Sequence, residues 1–188
     1  LADLPKERRI TAIPMLYFWY GMACERSGRF KRAEELFEAH IQAFPEAHES
    51  LNYLAYMWTE KGIRLDQALV YVQRALVLKP QDPAYLDTLG WVYYQQGLYP
   101  IALETIRKAS KFMPDDPTIC DHLGDALKAS DRTREAVKYW QRSFLQDPDN
   151  DEVGRKLSQN GVDVKRLKKK ADPKPKDPSA TETLNSEP

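Results

Sequence analysis

The chain has 188 residues, enough for one or two domains with a sizeable core. Its 28 basic and 28 acidic residues balance, so no overall field points to nucleic acid or to a membrane surface. Two cysteines are too few for a disulfide scaffold, and sparse glycine among Ala, Leu, Glu, Lys, Arg and Gln favours helix.

The chain opens at Leu1 rather than Met, as expected of a fragment or a processed product. Residues 1–13 read as the end of an upstream region. From Lys6, "KERRITAIPMLYFWYGMAC" loosely resembles a lipoprotein signal with Cys24 as acceptor. Pro14 interrupts that run, aromatics crowd it, and the 15 residues from Ile10 to Cys24 are fewer than the roughly 20 that span a bilayer. The stretch reads better as a first helix. Met15, Tyr17, Phe18, Trp19, Tyr20 and Met22 cover every side of it. A helix apolar all round is expected to be covered all round. Residues 1–13, upstream repeats or a second copy docking on residues 15–22 could supply the cover.

Beyond it a period emerges. Pro45, Pro80, Pro114 and Pro148 are spaced by 35, 34 and 34 residues. Small residues recur in a first helix (Gly21, Ala55, Gly90, Gly124) and alanines in a second (Ala33, Ala68, Ala102, Ala136). Large residues follow four positions later: Phe37, Val72, Ile106 and Trp140. Between the helices lies a turn at Gly28, Gly62, Gly97 and Asp131, and the second unit takes its extra residue there. Paired helices need small residues where backbones approach and large ones beside them. The units are 14–47, 48–82, 83–116 and 117–150, and each must stack on its neighbours to bury its apolar face. "NDEVGRKLSQNG" then predicts a capping helix over 151–161. Asn150 starts it, Val153 and Leu157 face inward, and Gly161 stops it. Residues 162–188 are basic, proline-rich and poor in apolar residues, which predicts disorder.

These slots resemble the tetratricopeptide repeat (TPR) over residues 14–150. Unit three, "AYLDTLGWVYYQQGLYPIALETIRKASKFMP", matches in every diagnostic slot. Unit four departs at Cys120 and Ser143, and unit one at His40, where a small residue is usual. The resemblance implies an all-α, right-handed solenoid of helix-turn-helix pairs, ending in a short capping helix and a disordered tail. "LNYLAYMWTEKGIRLDQALVYVQRALVLKPQDPAYLDTLGWVYYQQG" further resembles the C-terminal TPR tract of bacterial envelope adaptors. That implies a non-enzymatic scaffold, with the cell envelope favoured over the cytoplasm.

In such a solenoid the first helix of each pair lines the concave surface. Carried onto this chain, the lining is Met15, Phe18, Met22, Glu25 and Arg26, then Glu49, Asn52, Tyr56, Thr59 and Glu60. Asp87, Trp91, Tyr94 and Gln95 follow, then Thr118, Asp121, Asp125 and Lys128. Helical spacing sends Trp91 and Tyr94 into the groove and Tyr93 toward the second helix. Six of these residues are carboxylates and two are cations, among aromatic and Met surface. A protein or peptide with apolar anchors and basic residues fits such a groove. The same aromatics could instead pack across repeats, Tyr56 on Trp91 for example. Co-chaperones of this family grip acidic tails with Lys, Asn and Arg. Phe18, Met22, Tyr56 and Asp87 occupy those slots here and exclude that ligand.

Motifs for chemistry do not emerge. His40, His48 and His122 lie in different contexts, without metal-ligand spacing. Cys24 and Cys120 fall on core faces three units apart, too far for a bridge. "DPDNDEVG" mimics a calcium loop but has Glu152 where glycine is required. No cofactor and no enzymatic activity are expected. The run from Lys165 to Lys170 is either a solvating tail, a contact for nucleic acid or anionic lipid, or a weak occupant of the acidic groove.

Overall fold

The computed structural model describes residues 14–171. Ten helices lie within them: α1 Pro14–Arg26, α2 Phe30–Ala43, α3 His48–Glu60, α4 Leu65–Leu78, α5 Pro83–Gln95, α6 Tyr99–Phe112, α7 Pro117–Ala129, α8 Thr133–Gln146, α9 Asp151–Gln159 and α10 Val164–Ala171. Successive helices pair as α1–α2, α3–α4, α5–α6 and α7–α8, and the pairs stack into an all-α solenoid.

Local chemistry sets the boundaries. Asp82 accepts from the backbone N–H of Ala84 and Tyr85, and Asp116 from that of Ile119, with Pro83 and Pro117 at the first helical position. Each second helix ends two residues before its proline, and an N–H just past the helix closes its last turn (Phe44 to His40, Lys79 to Ala75, Met113 to Ala109, Asp147 to Ser143). The turn inside each pair needs a left-handed residue: Gly97 has φ +76°, and Asp131, standing where the other units have glycine, has φ 59°. The extra residue of the second unit is absorbed by Arg64 at φ 49°, immediately before α4.

Within each pair the small slot and the large one are complementary. A Cβ on Gly21 would sit 2.7 Å from the Phe37 ring, one on Gly90 2.4 Å from Ile106 Cγ1, and one on Gly124 2.4 Å from Trp140 Cδ1. The second unit has Ala55 in the small slot and only Val72, the smallest of the four, opposite it. Phe37, Val72 and Ile106 are fully buried and Trp140 is nearly so. Two core clusters result, one spanning units one to three and the other running from α6 to the C-terminal helices.

At the C-terminal end, α9 starts on Asn150, which accepts from Glu152 and Val153 N–H, and buries Val153 and Leu157 fully. The expected disorder from residue 162 is corrected for residues 164–171, which form α10. Asp163 Oδ1 accepts from Arg166 N–H at 3.0 Å, and Val162, Val164 and Leu167 pack against the core. Three apolar residues on one side are enough to seat a helix on an existing surface. Residues 172–188 lie outside the described residues. At the other end, Leu16, Trp19 and Tyr20 of α1 stay exposed at 37%, 58% and 44%. The expected cover from residues 1–13 also lies outside the described residues.

Candidate peptide-binding groove

The residues expected to line the groove fall into an open part and a closed part. On α1 and α3, Met15, Phe18, Met22, Asn52 and Tyr56 are all half-buried. Phe18 sits edge-on to Tyr53 at 6.0 Å, and Tyr53 OH donates to Glu25 Oε2 at 3.1 Å. Burial, then Glu25, pushes the Tyr53 hydroxyl up to about 12, so it remains a donor. Burial likewise raises Tyr56, with Glu60 and Asp87 adding to it.

In the middle, Trp91 is 8% exposed and lies between two parallel rings, Tyr94 at 4.5 Å and His122 at 4.0 Å. Its indole N–H donates to Glu60 Oε1 at 2.7 Å. Beside it His122 Nδ1 stands 2.8 Å from Asp87 Oδ2, and Asp87 Oδ1 is buried without a partner. Trp91 is thus more buried than Tyr93, the reverse of what helical spacing alone predicts. The reason is that α3 and α7 contribute to this site as much as α5 does. Both faces of the indole are occupied.

The C-terminal part is closed by a residue that the repeat register does not contain. Lys156 of α9 reaches Asp121 at 2.8 and 3.0 Å and Asp125 at 2.8 Å. Trp140 Nε1 also donates to Asp125, at 2.9 Å. Burial raises the Asp121 carboxyl and Asp125 adds to that, while Lys156 opposes both. On Lys156, burial works against the charge, but Asp125 and Asp121 outweigh it and hold the ammonium above its usual range. The acidic excess expected of the groove is therefore offset at this end by Lys156, and at Asp87 by His122. Glu25 accepts a hydrogen bond from Tyr53 and Glu60 one from Trp91, and His122 Nε2 stands 3.8 Å from Glu60.

The tetratricopeptide repeat family profile matches residues 14–57. A TPR repeat-containing protein, PA4667 of Pseudomonas aeruginosa, is 30% identical over 110 residues, covering 58% of this chain and 18% of the relative. Residues 14–57 thus match a tetratricopeptide repeat, and the chain is similar to proteins that contain this repeat. It spans less than a quarter of the length of the curated relatives it matches. The solved structure of Pseudomonas aeruginosa PilF shares the TPR fold, with a TM-score of 0.66 at 16% identity over 86% of this chain and 78% of that one. So does MamA (41-end) from Desulfovibrio magneticus, with a TM-score of 0.59 at 17% identity over 79% and 77%.

Within this TPR array each histidine bridges a different joint. His40 Nδ1 meets Ser50 Oγ at 2.8 Å between units one and two, and His48 Nδ1 meets Tyr85 OH at 2.7 Å between units two and three. His122 and Asp87 join units three and four. Burial opposes charge on His122, but Asp87, Glu60 and Asp121 outweigh it and raise the imidazole above its ordinary 6.5. The stability this adds is full below about 6.5 and is lost as pH rises through the folded value. His40 acts in the opposite sense: burial lowers it, so stability is lost as pH falls through that range. The stability gap between the chain and His122→Gln should therefore be wider at about pH 6 than at about pH 8.5. Urea melts at both values check this, and a pH-independent gap would rule out a charged His122.

Proposed function

We propose that the chain is a non-enzymatic adaptor that holds a segment of a partner protein against the first helices of units one and two. The observation that carries this reading is the contrast along the groove. Asp121 and Asp125 already hold Lys156, and both faces of Trp91 are covered. Met15, Phe18, Met22, Asn52 and Tyr56 remain half-open beside Glu25 and Glu60. Apolar anchors of the partner would seat on the methionines and aromatics, and its basic residues would face the two glutamates. The wording of units two and three supports a place at the bacterial cell envelope. No helix among the described residues is long and apolar enough to cross a membrane.

The test is to capture partners, identify one by mass spectrometry and measure its affinity. Met15→Ala with Met22→Ala should weaken binding at least about thirtyfold, the scale of a hot spot, while helicity holds. Asp121→Asn, at the closed end, should change affinity less than about threefold. The opposite ranking would defeat the reading.

A second reading rests on the exposed Leu16, Trp19 and Tyr20. A second copy docking on α1 would make the chain a self-assembling module. Sedimentation showing a monomer at micromolar concentration would exclude it.

A further inference from the structure

We propose that the outward face of α10 is a docking surface for anionic lipid headgroups. The helix has two distinct sides. Val164 and Leu167 pack onto the core built by Phe144, Val153 and Leu157. Lys165, Arg166, Lys169 and Lys170 are all exposed, and their spacing of one and four residues gathers them on the opposite side. No acidic residue interrupts α10, "VKRLKKKA". Like charges four apart repel, and both Lys165–Lys169 and Arg166–Lys170 are such pairs. The helix therefore presents a positive surface held in place by its apolar side, in a chain whose net charge is zero. With no wider field, attraction is confined to this patch and to about a Debye length around it.

The chemistry favours a lipid surface over nucleic acid. α10 carries no aromatic ring to stack on a base and no Asn or Gln to read one. A polyanion wrapping the helix would meet Asp149, which stands 2.7 Å from Lys168 on its flank, with Asp147 and Asp151 nearby in the chain. A plane touching only the crest meets all four cations and avoids these carboxylates. Because the apolar side is already used, contact would be through headgroups, without insertion. Each basic side chain near such a surface is expected to strengthen binding about fivefold.

Co-sedimentation of the full chain with vesicles tests this directly. Vesicles of phosphatidylcholine with phosphatidylglycerol should bind the chain, and phosphatidylcholine alone should not. Added salt should release it. Replacing Lys165, Arg166, Lys169 and Lys170 together by glutamine should lower partitioning at least about tenfold. Glutamine keeps helix propensity and removes repulsion, so the variant should fold; circular dichroism checks this. The pair Lys165→Gln and Lys169→Gln should give an intermediate loss. Unchanged partitioning of the quadruple variant would overturn the proposal, because binding would then come from elsewhere in the chain. So would equal binding to neutral vesicles, or tighter binding to duplex DNA at the same salt and phosphate concentration.

Discussion

Replacing Trp140 by alanine is expected to lower the unfolding free energy by about 3–5 kcal/mol, the range for a buried aromatic truncated to alanine. Trp140 is 3% exposed, and its indole N–H donates to Asp125. The change removes the side chain that fills the space opposite Gly124 and takes one donor from a mostly buried carboxylate. The slot rule makes a sharper version possible. Gly124→Ala places a Cβ 2.4 Å from Trp140 Cδ1 and Nε1, so the indole must move. Overpacking of this kind costs about 1–3 kcal/mol, against roughly 1 kcal/mol gained from better helix propensity. With Trp140→Ala already in place the clash is gone, and Gly124→Ala should become neutral or stabilising. A double-mutant cycle from urea melts should return a coupling of about 1–3 kcal/mol. Simple additivity would mean that the two positions do not share one space.

That slot was legible from sequence because it is local and repeated. The small and large residues lie sixteen or seventeen apart in every unit, and four copies give the pattern four chances to show. The turns were legible for the same reason, including Asp131 in place of glycine. What escaped is what occurs once. Lys156 lies 35 residues from Asp121 and 31 from Asp125, in a cap that has no counterpart in the repeats. Charges counted only in repeat slots therefore overstate the acidity of the C-terminal end. Helical spacing places Trp91 by its own helix alone, but its surroundings are set by Glu60 and His122, each about one unit away in sequence. The helix at 164–171 was hidden by composition: cations dominate it, and the few apolar residues that seat it are diluted in any average.

The joints show the same division. Unit one departs from the family at His40, which is 2% exposed where a small residue is usual. The space for it comes from the next unit, where Ser50 is fully buried and pairs with it. The exception in one repeat is matched by a small polar residue in its neighbour. Such compensation acts across a joint, and a slot-by-slot reading of single units cannot see it.

Lys156→Met should be the most informative change at the groove. Methionine keeps the length of the stem, so the loss is chiefly the ammonium. It leaves Asp121 and Asp125, one helical turn apart and at most 18% exposed, facing each other without a cation. Breaking a buried pair this way costs about 3–5 kcal/mol, and partial exposure should reduce that to about 2–3 kcal/mol. Adding Asp121→Asn and Asp125→Asn should restore most of it, since asparagine at 125 can still accept from Trp140. The pH dependence has a definite sign. Burial, then Asp125, already raises Asp121, and losing Lys156 removes the group that opposes them. A carboxyl raised on folding contributes stability below its unfolded value and loses it as pH rises. The gap between the chain and Lys156→Met should therefore shrink from neutral pH toward about pH 4. The variant also uncovers two carboxylates at the closed end, and a basic partner segment should bind it more tightly. A loss under about 0.5 kcal/mol, the size of an ordinary surface substitution, would mean that the cap is seated by Val153 and Leu157 alone. Lys156 would then not be what closes the groove.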